Sequence, residues 1–170
     1  KFNKNNQKRL KDEFKLLTKL YTEGCNVPQP LALINKDDIS YTNLFQVLNE
    51  QSSSDIEHVL IMKNEGMNLE QRFVMDGNCE KSEQYKENLK SAIELLFKNG
   101  YKQTDWTNDG NFVISQNGKV TLIDVDSMEE IDKDTDTLES VLDSAMQKID
   151  NKFKRICKRI QEHFYEDTSL

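Results

Sequence analysis

Thr104-Asp105-Trp106-Thr107-Asn108-Asp109-Gly110-Asn111-Phe112-Val113-Ile114-Ser115-Gln116-Asn117-Gly118-Lys119-Val120-Thr121-Leu122-Ile123-Asp124-Val125-Asp126 holds two apolar runs, Asn111 to Ser115 and Lys119 to Asp124, parted by Asn117-Gly118. Asn-Gly between such runs is the strongest short-range hairpin signal, because both residues tolerate the positive φ that a tight turn demands. A hairpin returns the chain to where it began. Asn111 at its entrance and Asp124 at its exit, thirteen positions later, are therefore predicted neighbours. An amide oxygen and a carboxylate are hard donors that suit Mg²⁺, which fills the rest of its octahedron with water and phosphate. Polar and acidic side chains from Thr104 to Asp109 crowd the approach to this pair.

Working outward, the flanks alternate helix and strand. Leu10, Phe14, Leu17 and Tyr21 recur at helical spacing and predict an amphipathic helix over 5–23, stopped by Gly24. Val27-Pro28-Gln29-Pro30 must run extended, since each proline restricts its predecessor, and Leu31 to Ile34 continues as a short strand. The polar stretch from Asp37 to Asp55 reads as loop, with a short element at Leu44 to Leu48. His58 to Met62 has the pattern of a buried strand, and Leu69 to Met75 that of one or two helical turns. Tyr85, Leu89, Ala92 and Leu96 mark a second helix closed by Asn99-Gly100. Beyond the hairpin, Asp136 is the expected N-cap, with Glu139 at N3, of a long helix or a broken pair through Val141, Ala145, Ile149, Phe153, Ile156 and Ile160.

Composition narrows the function classes. The 170 residues carry 23 Lys and Arg against 30 Asp and Glu, a net charge of −7, the wrong sign for a protein dependent on phosphate-backbone attraction. Direct nucleic-acid binding is not expected. No run approaches the roughly 18 apolar residues of a membrane span, and the first residues lack the apolar centre of a signal peptide. Cys25, Cys79 and Cys157 are too few and too scattered for a disulfide framework, and with two histidines no zinc spacing is assembled, so a reducing cytoplasm is the expected compartment. The chain opens on Lys1 without an initiator methionine and is expected to be a piece of something longer.

An Asp, then an Asn, then after a short hairpin a metal-binding Asp is the order in which the protein-kinase-like superfamily arranges its site, and this chain resembles it in order and approximate spacing. Within that superfamily it looks closest to the RIO-type atypical kinases. The likeness rests on Glu13 to Gly24 followed by Pro28 and Pro30, on His58 to Met62 as a hinge strand, and on Lys119 to Asp126 as a metal strand. It is also similar to divergent secretory-pathway kinases and to compact bacterial effector kinases. The resemblance implies an α+β, kinase-like two-lobe fold with an incomplete N-lobe over 1–62, a hinge at 63–66 and a reduced helical C-lobe over 67–170. It further implies Asp105 as the base or orienter of an acceptor hydroxyl, Asn111 and Asp124 as ligands of Mg²⁺ or Mn²⁺, and Glu13 as the helix carboxylate that pairs a lysine. Met62, Lys63 and Asn64 would then border the ATP site at the hinge. The implied activity is ATP-dependent phosphoryl transfer to a hydroxyl of a protein substrate.

The chain departs from the pattern in three places. Asn111 follows Asp105 by six positions where kinase loops use five, Gln103 stands where a His is usual, and no Gly-rich loop or lysine strand precedes Glu13. These departures define the alternative, a pseudokinase or nucleotide-binding regulatory module. Two other motifs are weaker matches. Asp105-x-Thr107-x-Asp109-Gly110 mimics a calcium loop, but its twelfth position is Gln116. Asp124-x-Asp126 mimics the motif of haloacid-dehalogenase phosphatases, which normally opens its domain instead of lying near the end.

Overall fold

The computed structural model describes residues 4–35, 37, 40, 46, 58–106 and 111–166. Of the element expected at Leu44 to Leu48 only Gln46 is among the described residues, and the loop residues Thr107 to Gly110, Asp109 among them, lie outside them.

Helix α1 (Lys4–Thr22) buries Leu17 and Leu20, and Gly24 ends it at φ 81°, where Cys25 N–H reaches back to the Leu20 carbonyl at 2.9 Å. This is the left-handed helix stop that glycine adopts without a Cβ penalty. After the extended proline segment, β1 (Pro30–Asn35) pairs antiparallel with β2 (His58–Met62), and α1 packs against both. Residues 63–66 then lead to Met67, whose backbone exchanges hydrogen bonds with Ile114 at 3.1 and 2.7 Å. Gly66 permits that approach: a Cβ there would lie 2.6 Å from the Ile114 carbonyl carbon and oxygen.

Helix α2 (Leu69–Asp76) starts on a reciprocal capping box between Asn68 and Gln71 and ends at Gly77. Helix α3 (Ser82–Lys98) turns Tyr85, Leu89, Ala92, Ile93 and Leu96 into the core. Strand β3 (Tyr101–Gln103) follows; β4 (Phe112–Ile114) and β5 (Val120–Leu122) form the expected hairpin, with Phe112 opposite Leu122 and Gly118 at φ 83° in its turn. A 3₁₀ turn, Val125–Ser127, leads into β6 (Met128–Glu130), which returns to pair with β3. The β3–β6 pair escaped the sequence reading because three-residue strands show no periodicity.

The final segment is one helix, α4 (Leu138–Glu166), not a broken pair. Its cap is Thr137, not Asp136: Thr137 Oγ1 accepts the Ser140 N–H at 3.1 Å, and Ser140 Oγ accepts the Thr137 N–H at 3.1 Å. Asp136 instead accepts two hydrogen bonds from Lys102 Nζ, both 2.8 Å, and one from the Asp132 N–H at 2.7 Å. Ala145, Ile149, Phe153, Ile156 and Ile160 form the buried stripe of α4. That stripe joins Leu17, Phe73, Leu89, Phe112 and Leu122 in one apolar cluster.

One cysteine expectation is corrected. Cys79, in the turn after α2, and Cys157 of α4 are paired as a disulfide with Cα atoms 5.9 Å apart, while Cys25 is buried and free. Their separation of 78 residues hid the pairing, since only the packing of α4 against α2 and α3 brings them together.

Candidate functional site

The open end of the β4–β5 hairpin collects the sequence-predicted acidic and amide groups. Asn111 is buried, and its Nδ2 donates to the Asp105 backbone carbonyl at 2.6 Å. A carbonyl can only accept, so this contact orients the amide and turns Oδ1 away from Asp105. Ile123 N–H donates to the Asn111 carbonyl at 3.0 Å, holding the start of one strand against the end of the other, one residue before Asp124. Asp124 is half-buried, and its Oδ2 accepts the Ser127 hydroxyl at 3.0 Å.

Gln103 ties the two sides together. Its Nε2 donates to the Asp105 carbonyl at 3.2 Å and to Ser127 Oγ, while Trp106 Nε1 donates to the Gln103 carbonyl at 3.1 Å. Thr104 adds backbone and hydroxyl bonds to the Ser127 carbonyl at 3.0 and 2.9 Å. Asp105, Asn111 and Asp124 thus belong to one hydrogen-bonded unit. Ser127 was not singled out from sequence; the signal available was only a hydroxyl residue just past the strand that ends in Asp124.

Glu13 reaches this unit from α1, which packs on the Val125–Ser127 turn. Arg9, one helical turn earlier, forms an ion pair with Asp126. Burial drives the Glu13 carboxyl up from its ordinary 4.5 to about 7, helped by the Asp126 charge and a hydrogen bond with Asp126, with Asp124 adding to the rise and Arg9 opposing it. Two carboxyl groups sharing a proton behave in this way.

The hinge residues divide. A cavity of about 470 Å³ is lined by Asn64, Glu65, Gly66, Met67, Arg72 and Ser115, among others. Asn64 therefore borders a cavity, whereas Met62 and Lys63 are exposed beside it without lining it. This cavity meets β4 at Ile114, the opposite end from Asn111.

Among the described residues no group of three or more His, Cys, Asp or Glu side chains is arranged to hold a metal ion. Asn111 Oδ1 and the Asp124 carboxylate are nevertheless hard oxygen donors from adjacent strand ends, a set that fits a Mg²⁺ ion completed by water and phosphate. No helix among the described residues is long and apolar enough to cross a membrane. No family model matches the chain, and no curated protein matches it.

Proposed function

We propose that this chain is an atypical, RIO-like protein kinase that moves the γ-phosphate of ATP to a Ser or Thr hydroxyl of a protein. The observation that carries the proposal is the joining of Asp105, Asn111 and Asp124 at one end of a hairpin whose other end abuts the 63–66 connection. Three residues of β4 separate the two ends, about 10 Å at the usual strand rise, a distance that an ATP molecule with its base at the hinge and its phosphates at the metal would bridge. Asn111 and Asp124 would hold Mg²⁺ or Mn²⁺, which supplies charge neutralisation on the phosphates. Asp105 would orient the acceptor hydroxyl and take its proton, while the Gln103 and Asn111 bonds to its backbone keep the carboxylate in place. The two-lobe division at 63–66 belongs to the same proposal.

The company of Glu13 favours a second reading. Among the described residues the leading charged influences on it are Asp126, Arg9 and Asp124, a setting that suits a pseudokinase that binds nucleotide without transferring phosphate. Two nearly isosteric variants of the full-length protein separate the readings. Asp124→Asn is expected to weaken metal-dependent ATP binding together with turnover. Asp105→Asn is expected to leave Mg-ATP affinity nearly intact and to lower phosphoryl transfer by about 10² to 10⁴, the range of an acid-base group. Binding with no transfer in the unmutated protein selects the pseudokinase. Full transfer by Asp105→Asn with loss in Asp109→Asn moves the base to Asp109, and insensitivity of both rejects the kinase reading of this loop.

A further inference from the structure

Helix α4 carries a charge opposite to that of the chain. Against a net −7, the segment 148–159 holds Lys148, Lys152, Lys154, Arg155, Lys158 and Arg159 with Asp150 as its one acid. Lys148, Lys152, Arg155 and Arg159 are spaced i, i+4, i+7 and i+11, which places them along one face. Arg159, at the far end, meets Glu70 of α2 at 3.3 Å. The other three, with Asn151 and Trp106, line a cavity of about 320 Å³. Trp106 directly follows Asp105, so one wall of the cavity is formed by the residue next in the chain to the proposed base.

Lys152 is only 5% exposed and its ammonium lies 5.4 Å from the centroid of the Phe112 ring, adjacent in sequence to Asn111. A lysine is rarely buried to that degree, and here the cost is borne beside the site. Lys152 and Arg155 already engage other groups of the protein, so an incoming anion exchanges into existing contacts and binds with modest strength.

We propose that the Lys148, Lys152 and Arg155 cavity is a subsite for an anionic side chain of the protein acceptor, located close to its Ser or Thr. This rests on the phosphotransfer reading and names the substrate class for it. The cavity has room for a carboxylate or phosphoryl headgroup, being at the small end of ligand pockets. The net negative charge of the molecule disfavours a nucleic acid, whose repulsion would extend beyond three local cations. Aspartate, glutamate and phosphoserine share the required chemistry.

Trp106, the chain's single tryptophan, reports occupancy independently of catalysis. The full-length protein is titrated by tryptophan fluorescence with Ser-containing peptides bearing Glu, phosphoserine or Gln near the Ser, and the same peptides are assayed as phosphoacceptors. Both anionic peptides are expected to bind at least tenfold more tightly than the Gln peptide, with the preference shrinking as salt rises. In Lys148→Glu/Arg155→Glu, two exposed positions whose change should not unfold the chain, that preference is expected to vanish. A phosphoserine preference without a Glu preference identifies a prephosphorylated acceptor, and equal preference an acidic one. Equal binding of all three peptides, tighter binding of an oligonucleotide than of any peptide, or an unchanged preference in the double variant overturns the subsite. If the Gln peptide is phosphorylated as well as the others, the subsite fails while phosphotransfer stands. If no peptide is phosphorylated yet the anionic preference and its loss are observed, the subsite stands and phosphotransfer fails.

Discussion

Glu13 shows how a residue can be placed by sequence and yet take its character from the fold. Its position on the amphipathic helix follows from periodicity, but the neighbours Asp126 and Asp124 arrive from a strand end more than a hundred residues away. Because its pKa rises from 4.5 to about 7, the folded chain retains a proton there that the unfolded chain has already lost. Stability therefore falls as pH rises through the window from about 4.5 to about 7. Glu13→Gln mimics the protonated form and is expected to flatten that slope. At pH 8 it should raise stability by about 1 kcal/mol, an amount reduced for the partial exposure of the site. Urea unfolding of both proteins at pH 5 and pH 8, without nucleotide, measures this; parallel pH dependence in the two would dismiss the shared proton. Asn111 and Asp124 were legible as a pair because Asn117-Gly118 specifies the hairpin. The hydroxyl of Ser127 on Asp124 was not, since it depends on a 3₁₀ turn that three residues cannot announce.

Among the elements, α4 is the one whose role the structure changes most. Its apolar stripe is readable at 3.6-residue spacing, but the unbroken 29-residue helix packs along α2 and α3, and its cap falls on Thr137 because Lys102 of β3 and the Asp132 N–H engage Asp136. Because the helix does not break, Cys157 arrives beside Cys79. The disulfide closes a loop that contains Asp105, Asn111 and Asp124, and a separation of 78 residues gives about 4 to 5 kcal/mol of chain-entropy stabilisation. Measured losses for native disulfides run from about 2 to 5 kcal/mol. Reduction with dithiothreitol is therefore expected to lower the urea midpoint, and Cys157→Ser to lower it equally while abolishing the response to dithiothreitol. A reduced protein as stable as the oxidised one would show that the bridge does not constrain the unfolded chain.

For the whole molecule, the decisive quantity is whether a ligand joins its parts. Under the proposed function, a nucleotide spanning from the 63–66 connection to Asn111 and Asp124 would bind only the folded chain. At about 100 times Kd it adds roughly 2.7 kcal/mol. For a chain of this size the melting temperature should rise by about 5 to 10 °C. Thermal melts of the full-length protein with ATP, with Mg²⁺ and with both are expected to show the rise only for the combination. A melt unmoved by millimolar Mg-ATP would remove the nucleotide from the proposal.

The amino-acid sequence alone determined α1 and its glycine stop, the β1 and β2 strands, α3, the Asn-Gly hairpin and the apolar stripe of α4. Each of these is written in local periodicity or turn chemistry over a few residues. Tertiary structure alone decided the β3–β6 pairing, the Cys79–Cys157 bridge, the binding of Gln103 to both Asp105 and Ser127, and the gathering of Lys148, Lys152 and Arg155 beside Trp106. These depend on contacts between segments far apart in the chain, whose partners are chosen by how the shared core packs and not by any pattern within either segment.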